Sequence, residues 1–325
     1  MSKKAYLKTV INSLNLQEQL NFYGEKKEPF FFIINYDKTD YEVIALKDLP
    51  NTIQYSLSEN KHPISHNNIL NTKAEPFDSY RKKFHTLKNE ILNGNTYLAN
   101  LTSKTQVDTK LSLEEIYKVA NAKFKLLYRD KFVCFSPERF CEIQEDTIYT
   151  YPMKGTIDAK IPNAEHIILN DSKELAEHTM IVDLLRNDLS IVSKKVRVEK
   201  FRYCEYIQAG EKELIQVSSK ISGQLEKNWE NKIGDIITSL LPAGSITGTP
   251  KKKTVEILNT IENYERGYFT GIFGVYDGEK LDSSVIIRYI EKEQEKLIYK
   301  SGGGITSDSD LHKEYQEMCD KVYIP

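Results

Sequence analysis

The chain has 325 residues, 40% of them hydrophobic, which is enough to bury a sizeable core in one large domain or two. Its 45 Lys and Arg residues nearly balance 47 Asp and Glu residues, so the net charge of −2 gives no reason to expect nucleic acid or an anionic membrane as partner. The four cysteines lack the spacing of a zinc site or disulfide framework, and no run of about 18 apolar residues occurs. We therefore expect a soluble, cytoplasmic protein that binds a small molecule.

The first part of the chain predicts three kinds of structure from its apolar pattern. Residues 29–49 contain two apolar runs around a turn at Asp37, which predicts a β-hairpin well covered on one side. Residues 50–76 are polar and predict a long loop, and a loop of this length is either functional or conceals a further element. Residues 77–92 carry apolar side chains at helical spacing, and Gly94 follows them as a C-terminal cap would.

The following segments alternate between strands and helices. Residues 96–102 predict a strand, residues 113–122 a short helix, and residues 126–143 paired strands joined by a turn at Pro137. Such alternation, with several antiparallel hairpins, favours an α+β fold over a parallel βαβ array. Further strands are predicted at residues 196–206, 214–225, 268–276 and 283–289.

One lysine lies between a proline and a glycine, in the stretch YPMKGT at residues 151–156. Proline favours extended backbone before it and glycine permits a close approach, so the stretch predicts a strand that ends in a tight turn. There the Lys154 ammonium and the Thr156 hydroxyl would hold a small carboxylate, or a desolvated Lys154 would supply an amine nucleophile. The alternative is an exposed lysine in an ordinary turn.

Residues 172–189 predict the clearest helix, with Ser172 as its N-cap. Glu174 and Glu177 lie three residues apart on the stripe that should be buried, so they need a basic side chain or a cation as partner. The alternative is a solvated first turn. The helix predicted at residues 310–322 repeats the pattern with two further glutamates, Glu314 and Glu317, and two such pairs would make an oxygen-only site that favours magnesium over zinc.

Two other segments predict binding of an anion. Residues 241–253 form a loop rich in glycine and hydroxyl groups before a helix, which lacks the spacing of a phosphate loop but can receive a carboxylate. Arg288 lies in an apolar strand and should bind a carboxylate, although an edge strand that exposes Arg288 to solvent is an equal alternative. Three consecutive glycines at 302–304 bring the backbone close to another group.

Six ordered segments together resemble the chorismate-utilising enzymes, a family that includes anthranilate, aminodeoxychorismate, isochorismate and salicylate synthases. The resemblance covers residues 77–325 and implies a chorismate-binding catalytic region there, with residues 1–76 as a short β-rich part of the same fold. It implies two stacked antiparallel sheets flanked by helices, with the active site in the cleft between them. The segments are residues 151–156, 173–188, 241–251, 266–274, 287–288 and 301–321.

The resemblance also implies a set of site residues. Magnesium would bridge a substrate carboxylate to glutamates drawn from Glu174, Glu177, Glu314 and Glu317, with Glu177 and Glu317 favoured. The residues implied to bind or surround the substrate are Gly155, Thr156, Thr247, Gly248, Phe269, Arg288, Gly302 and Gly304. Phe269 lacks the hydroxyl of the tyrosine expected near it, and Gln216 stands where anthranilate synthases have histidine.

Lys154 decides which member the chain resembles. A lysine at this position is similar to component I of aminodeoxychorismate synthase, whose lysine forms a covalent bond to ring carbon 2 of chorismate before ammonia adds at carbon 4. The product would be 4-amino-4-deoxychorismate, the precursor of 4-aminobenzoate and folate. Leu98 occupies the position of the general-base lysine of isochorismate synthases, which disfavours water activation.

The implied reaction needs ammonia, and nothing in the chain resembles a glutaminase. A separate glutamine amidotransferase subunit is therefore expected as the partner, and burial or a neighbouring cation is expected to depress the pKa of Lys154 so that its amine is neutral. The alternatives are anthranilate synthase component I, in which Lys154 would be a spectator, and a non-catalytic chorismate-binding subunit.

Overall fold

The computed structural model describes residues 13–58, 70–209 and 212–325, which form eight α-helices and seventeen β-strands. Within these ranges no helix is both long and apolar enough to cross a membrane. The helices are α1 (Leu16–Glu25), α2 (Phe77–Leu92), α3 (Leu113–Val119), α4 (Ala164–Asn170), α5 (Ser172–Val192), α6 (Ile233–Leu240), α7 (Lys251–Ile261) and α8 (Leu311–Asp320).

The strands are short at the start of the chain and longest around the middle and the end. They are β1 (Phe30–Ile34), β2 (Tyr41–Ala45), β3 (Ile53–Ser56), β4 (Asn71–Lys73), β5 (Leu98–Asp108), β6 (Phe124–Tyr128), β7 (Phe132–Ser136), β8 (Arg139–Gln144), β9 (Thr147–Thr150), β10 (Met153–Asp158), β11 (Lys194–Ala209), β12 (Lys212–Gln224), β13 (Gly248–Thr249), β14 (Ile272–Tyr276), β15 (Leu281–Val285), β16 (Tyr289–Glu293) and β17 (Lys296–Ile305).

These strands form two antiparallel sheets. In the described part of the chain the first sheet has nine strands in the order β10-β12-β9-β8-β15-β14-β1-β2, with β11 also paired to β12. The second has eight, in the order β13-β5-β17-β16-β7-β6-β3, with β4 paired to the end of β5. The expected α+β fold, two antiparallel sheets flanked by helices, is confirmed.

The core between and around the sheets explains the unusually apolar strand β1, whose five residues are all buried. Phe30, Phe32 and Ile34 pack in one cluster with α1 and α6, whereas Phe31 and Ile33 pack in another with β6 and β7 of the second sheet. A strand buried on both faces reads as a continuous apolar run. The predicted hairpin is confirmed, but its first strand, β1, is covered on both sides rather than one, whereas β2 is partly exposed.

The chain crosses from one sheet to the other at two places that the sequence predicted to lie within paired or continuous strands. Strand β7 belongs to the second sheet and β8 to the first, so the segment around Pro137 is a crossing and not a hairpin turn. Strands β15 and β16 likewise lie in different sheets, and Arg288 sits between them with φ of 53°. The prediction that Arg288 lies inside a strand is therefore wrong, because the apolar residues on both sides of the crossing mask the break.

Several boundaries also differ from the predictions. The polar region 50–76 contains β3 and β4, and residues 59–69 of it lie outside the described residues. Asp171, not Ser172, is the N-cap of α5, since its side chain accepts a hydrogen bond from the Glu174 amide. Helix α2 ends where predicted, with Gly94 following at φ of 75°.

Two helices bring the acidic pairs to the sheets. Helix α5 packs against β10, β11 and β12 of the first sheet, and α8 packs against β17 of the second. Helices α2, α7 and α8 share a buried apolar cluster that covers β5 and β17. As a result, the first turns of α5 and α8 face each other across the gap between the two sheets.

Candidate active site

A cleft of about 900 Å³ lies between the two sheets. Strands β10 and β12 line it from the first sheet, β5 and β17 from the second, and α5 and α8 close it on one side. Nine of the thirteen residues selected from the sequence line this cleft. They are Lys154, Gly155, Thr156, Glu174, Phe269, Arg288, Gly302, Gly304 and Glu317.

A β-bulge presents Lys154 to the cleft. The pairing of β10 with β12 shifts register between Met153 and Thr156, so Lys154 and Gly155 have no partner in the ladder. Gly155 has φ of 94°, a conformation that favours glycine, and β10 continues to Asp158. The predicted tight turn at the end of a strand is wrong, because the glycine bends the strand locally without ending it.

The Lys154 ammonium is held by carboxylates. Its Nζ lies 2.8 Å from Glu177 Oε2, and Lys173 Nζ lies 3.6 Å from the other oxygen of Glu177. Burial lowers the pKa of Lys154, but the charges of Glu177, Glu317 and Glu174 outweigh that effect and raise it above its ordinary value. The expectation of a depressed pKa is therefore wrong for this arrangement, because the attraction of the nearby carboxylates outweighs the effect of burial.

The acids of α5 lie on its buried stripe. The Glu177 side chain is only 7% exposed, so a solvated first turn is excluded at this position. Glu174 Oε2 is buried against Gly155 and has no hydrogen-bond partner within the described part of the chain. Burial raises the pKa of Glu174, and nearby Lys154 only partly offsets that effect.

The acids of α8 approach the same space from the second sheet. Glu314 Oε1 accepts a hydrogen bond of 2.8 Å from the Ser309 hydroxyl, and burial raises its pKa. Glu317 pairs with Lys321 at 2.7 Å; burial alone would raise the pKa of Glu317, but Lys321 lowers it below its ordinary value. A Cβ at Gly303 would lie 3.4 Å from Glu314 Oε2 and 3.9 Å from Glu317 Oε1, so glycine there leaves room beside both carboxylates.

The four glutamates offer carboxylate oxygens, which are the type of ligand that a hard cation binds. Among the described residues no group of three or more His, Cys, Asp or Glu side chains is close enough as it stands to hold a metal ion, since Glu177 and Glu317 are paired with lysines. However, one buried oxygen of Glu174 has no hydrogen-bond partner among the described residues, and burial raises the pKa values of Glu174 and Glu314, so a bound cation would stabilise both carboxylates. Carboxylate oxygens are the ligands that magnesium prefers, so these residues fit the expected ion.

The glycines of β17 and the cation beside them form the opposite wall. A Cβ at Gly304 would lie 3.8 Å from Lys154 Nζ, so the predicted nucleophile faces this backbone. Gly302 is near Lys321, whose Nζ donates a 2.8 Å hydrogen bond to its carbonyl. Arg288 is half-buried, donates a 3.1 Å hydrogen bond to the Lys321 carbonyl and lies 4.9 Å from the Tyr323 ring. This wall thus presents glycine backbone without side chains next to the positive charge of Arg288, an arrangement that suits a carboxylate ligand.

Four selected residues do not line the cleft. Glu177 contacts Lys154 and Glu314 lies beside Gly303, and both of these neighbours line the cleft, whereas Thr247 and Gly248 are held by other contacts. The Thr247 hydroxyl donates to the Ala243 carbonyl, and Gly248 pairs with Ala99 of β5. Their neighbours Ser245 and Ile246 line the cleft instead.

Two residues that the sequence did not single out contribute to the site. Glu138 lines the cleft at the crossing between β7 and β8, where Ser245 donates a hydrogen bond to it and burial raises its pKa. His178 is fully buried beneath Lys154, with Nδ1 3.2 Å from the Lys154 carbonyl. His178 follows Glu177 directly in the sequence, but only the position of α5 on β10 shows which backbone group it contacts.

A family model described as chorismate binding enzyme matches residues 8–325. An uncharacterised PabA-like protein of Pasteurella multocida is 45% identical over 317 residues, 95% of this chain and 97% of that protein. Aminodeoxychorismate synthase component 1 of Salmonella typhimurium is 31% identical over 258 residues, and anthranilate synthase component 1 of Haloarcula marismortui is 32% identical over 260. Each of these two alignments covers 75% of this chain but only 56% and 52% of the respective relative, so the chain spans about half the length of these longer proteins.

Among solved structures, MenF, the menaquinone-specific isochorismate synthase of Escherichia coli, matches with a TM-score of 0.70 at 14% sequence identity, over 93% of this chain and 79% of that one. This likeness shows a shared fold. The family model covers almost the whole chain, and the cleft between the sheets contains most of the residues that the resemblance selected. The chain therefore belongs to the family of chorismate-binding enzymes.

Proposed function

We propose that this protein is an aminodeoxychorismate synthase component I, which converts chorismate and ammonia to 4-amino-4-deoxychorismate for the synthesis of 4-aminobenzoate and folate. The observation that carries the proposal is the position of Lys154. Its amine lies in the cleft of a chorismate-binding enzyme, between Glu177 and the open backbone at Gly304. A lysine held at this point is poised to form a covalent intermediate rather than to stabilise the fold.

The reaction divides into two substitutions on the substrate ring. The Lys154 ammonium first gives up a proton to solvent, and its neutral amine then forms a bond to ring carbon 2 as the bond from carbon 4 to its hydroxyl breaks. The ring double bonds shift between these carbons. Ammonia then forms a bond to carbon 4, the bond from carbon 2 to Lys154 breaks, and the free amine is restored. Each step exchanges one carbon–heteroatom bond for another, so no oxidant or reductant is needed.

We assign Glu138 as the acid for the first step. A hydroxide ion is a poor leaving group, so the hydroxyl at carbon 4 must receive a proton as its bond breaks. The raised pKa of Glu138 favours the protonated carboxyl, and the Ser245 hydrogen bond fixes its orientation at the cleft surface. Glu138 lines the cleft from the crossing between β7 and β8, away from the acidic residues of α5 and α8.

The substrate carboxylates would be held from two sides. Arg288, with the backbone at Gly302 and Gly304, would bind one, and the Gly155-Thr156 bulge would contact another. Glutamates of α5 and α8, Glu177 and Glu317 among them, would hold magnesium, which would supply electrostatic stabilisation of negative charge on the substrate. Metal binding to Glu177 would also require its ion pair with Lys154 to open.

Ammonia would come from a separate glutamine amidotransferase subunit. The relatives described as component 1 support this part of the proposal, since that name implies a second component. The chain would then make product from chorismate and an ammonium salt alone, but from glutamine only when the second subunit is added.

The test is a product assay with purified chain, chorismate, magnesium and an ammonium salt at mildly alkaline pH. We expect 4-amino-4-deoxychorismate, identified by mass spectrometry and by its conversion to 4-aminobenzoate with an added lyase. Lys154→Ala should lose this product by at least about 100-fold, because the covalent route is removed, while Lys252→Ala, at an exposed lysine of α7, should leave it unchanged. Product formation by Lys154→Ala at the parent rate would refute the covalent role.

The second candidate is anthranilate synthase component I, favoured by the 32% identity to the relative from Haloarcula marismortui. In that case the same assay yields anthranilate, and Lys154→Ala retains it. A chain that binds chorismate and yields neither product would instead be a non-catalytic subunit, as the departures at Gln216 and Phe269 allow.

A further inference from the structure

We propose that His178 is a positioning residue for Lys154, and that α5 holds this lysine at two points with two consecutive side chains. Glu177 binds the ammonium, with its Oε2 2.8 Å from Lys154 Nζ. His178 binds the main chain, with its Nδ1 3.2 Å from the Lys154 carbonyl oxygen. The proposal rests on the proposed function for its catalytic meaning, but the geometry that it describes is independent of that function.

The bulge in β10 explains why the Lys154 carbonyl needs this contact. Lys154 and Gly155 have no partners in the ladder with β12, and β10 lies at the end of its sheet. A bulge bends the strand and re-aims a side chain, but it also removes the ladder hydrogen bonds that would fix the backbone. His178 replaces them at the residue whose side chain carries the amine.

The hydrogen bonds around His178 specify one tautomer. A carbonyl oxygen only accepts, so Nδ1 must carry the proton that is donated to Lys154. Nε2 then accepts from the Ser219 hydroxyl at 2.7 Å, and Ser219 Oγ in turn accepts the Arg202 amide proton at 2.9 Å. Each hydrogen-bond donor in this network of the His178 ring, the Ser219 hydroxyl and the Arg202 main-chain amide therefore has an acceptor.

The surroundings of His178 indicate that this arrangement is rigid. The His178 ring is completely buried. The Phe201 ring packs against it in a T-shaped arrangement, with the two ring centroids 5.8 Å apart. Ser219 belongs to β12, where its amide donates to the Pro152 carbonyl at 2.9 Å, so the partner of His178 is tied to the segment that leads into Lys154. Helix α5 and two strands thus fix one backbone oxygen.

Two substitutions separate the two contacts of the ring. The Asn amide nitrogen lies where His Nδ1 lies, so His178→Asn keeps a donor for the Lys154 carbonyl. The Gln amide nitrogen lies where Nε2 lies, so His178→Gln keeps a partner for Ser219 and loses the contact with Lys154. We expect kcat with ammonium to fall at least about tenfold in His178→Gln and no more than about threefold in His178→Asn, with KM for chorismate little changed in both.

A second readout does not depend on turnover. An amine-reactive ester labels lysines at rates that peptide mass spectrometry resolves, and Lys252, exposed on α7, serves as internal standard. Loss of the main-chain contact should change the labelling rate of Lys154 relative to Lys252 in His178→Gln but not in His178→Asn. Thermal unfolding identifies any loss of folded protein.

The outcomes distinguish this proposal from the proposed function. If the parent makes no aminodeoxychorismate but the Lys154 labelling rate still changes only in His178→Gln, the positioning role stands and the assigned reaction fails. Equal losses of kcat in both variants, in proportion to a lowered unfolding temperature, would show a merely structural histidine. Unchanged kcat and unchanged labelling in His178→Gln would overturn the proposal as well.

Discussion

Glu138 illustrates how one side chain can be unfavourable for stability and useful for chemistry. Burial raises its pKa above the ordinary value of 4.5, so the folded protein prefers the protonated carboxyl. A group of this kind contributes stability below its unfolded pKa and loses it as the pH rises through the higher folded pKa. Removal of its charge should therefore help the fold at neutral pH while it removes the proposed acid.

Glu138→Gln tests both consequences. We expect kcat to fall at least about 100-fold, as for loss of a general acid, with KM for chorismate nearly unchanged. The variant should unfold at a temperature equal to or above that of the parent, and the difference should grow as the pH rises, because the parent loses stability as its buried carboxyl ionises. Glu279→Gln, at an exposed turn after β14, is the matched control. Retention of kcat within a few-fold would exclude Glu138 as the acid.

At the scale of elements, the bulge in β10 couples backbone shape to the acidic site. Gly155 has φ of 94°, and an added Cβ would lie 2.9 Å from Glu174 Oε2. Alanine there would meet both a strained conformation and a close contact. Gly94, after α2, has φ of 75° with nothing within 4 Å of its Cβ position, so it isolates the conformational cost.

Gly155→Ala should destabilise the protein by about 1–3 kcal/mol and also lower kcat, because Glu174 and the bulge must shift. Gly94→Ala should show a destabilisation of about 1 kcal/mol with kcat unchanged. Urea unfolding and steady-state kinetics measure the two effects. Equal kinetic behaviour of the two variants would mean that the shape of the bulge does not control the site.

How much of the site could be predicted depends on the range of the interactions. The helix with Glu174 and Glu177 followed from local periodicity, since residues three apart share a face whatever the rest of the fold does. The bulge at Gly155 and the crossing at Arg288 could not be predicted. An apolar strand has the same sequence pattern whether the chain continues in one sheet, bulges or passes to the other sheet.

Contacts between distant segments were equally hidden. The hydrogen bond from Ser245 to Glu138 joins residues 107 positions apart. His178 meets Ser219, 41 positions away, only because α5 packs on β12. Such pairs depend on how the sheets and helices assemble, and the sequence of either segment alone carries no sign of the other.

At the scale of the whole molecule, one buried ion pair ties together the second sheet, α7 and the loop that lines the cleft. Arg266 and Glu262 are paired at 2.7 Å, and both side chains are 2% exposed. Arg266 also donates to the Asn100 and Ile246 carbonyls, and Glu262 accepts from the amide and hydroxyl of Thr102. Asn100 and Ile246 line the cleft, so this ion pair fixes the backbone of two residues in the cleft wall.

Removal of one partner would leave a buried, unpaired charge. Arg266→Met should therefore lower the free energy of unfolding by about 3–5 kcal/mol, measured by urea denaturation. The double variant Arg266→Met/Glu262→Leu should recover part of that loss, because no charge remains buried. Arg81→Met breaks the exposed pair with Asp78 and should leave stability nearly unchanged. If Arg266→Met were as stable as the parent, this part of the cleft wall would not depend on the ion pair. The pairing of β5 with β13 and β17 would then have to hold it in place.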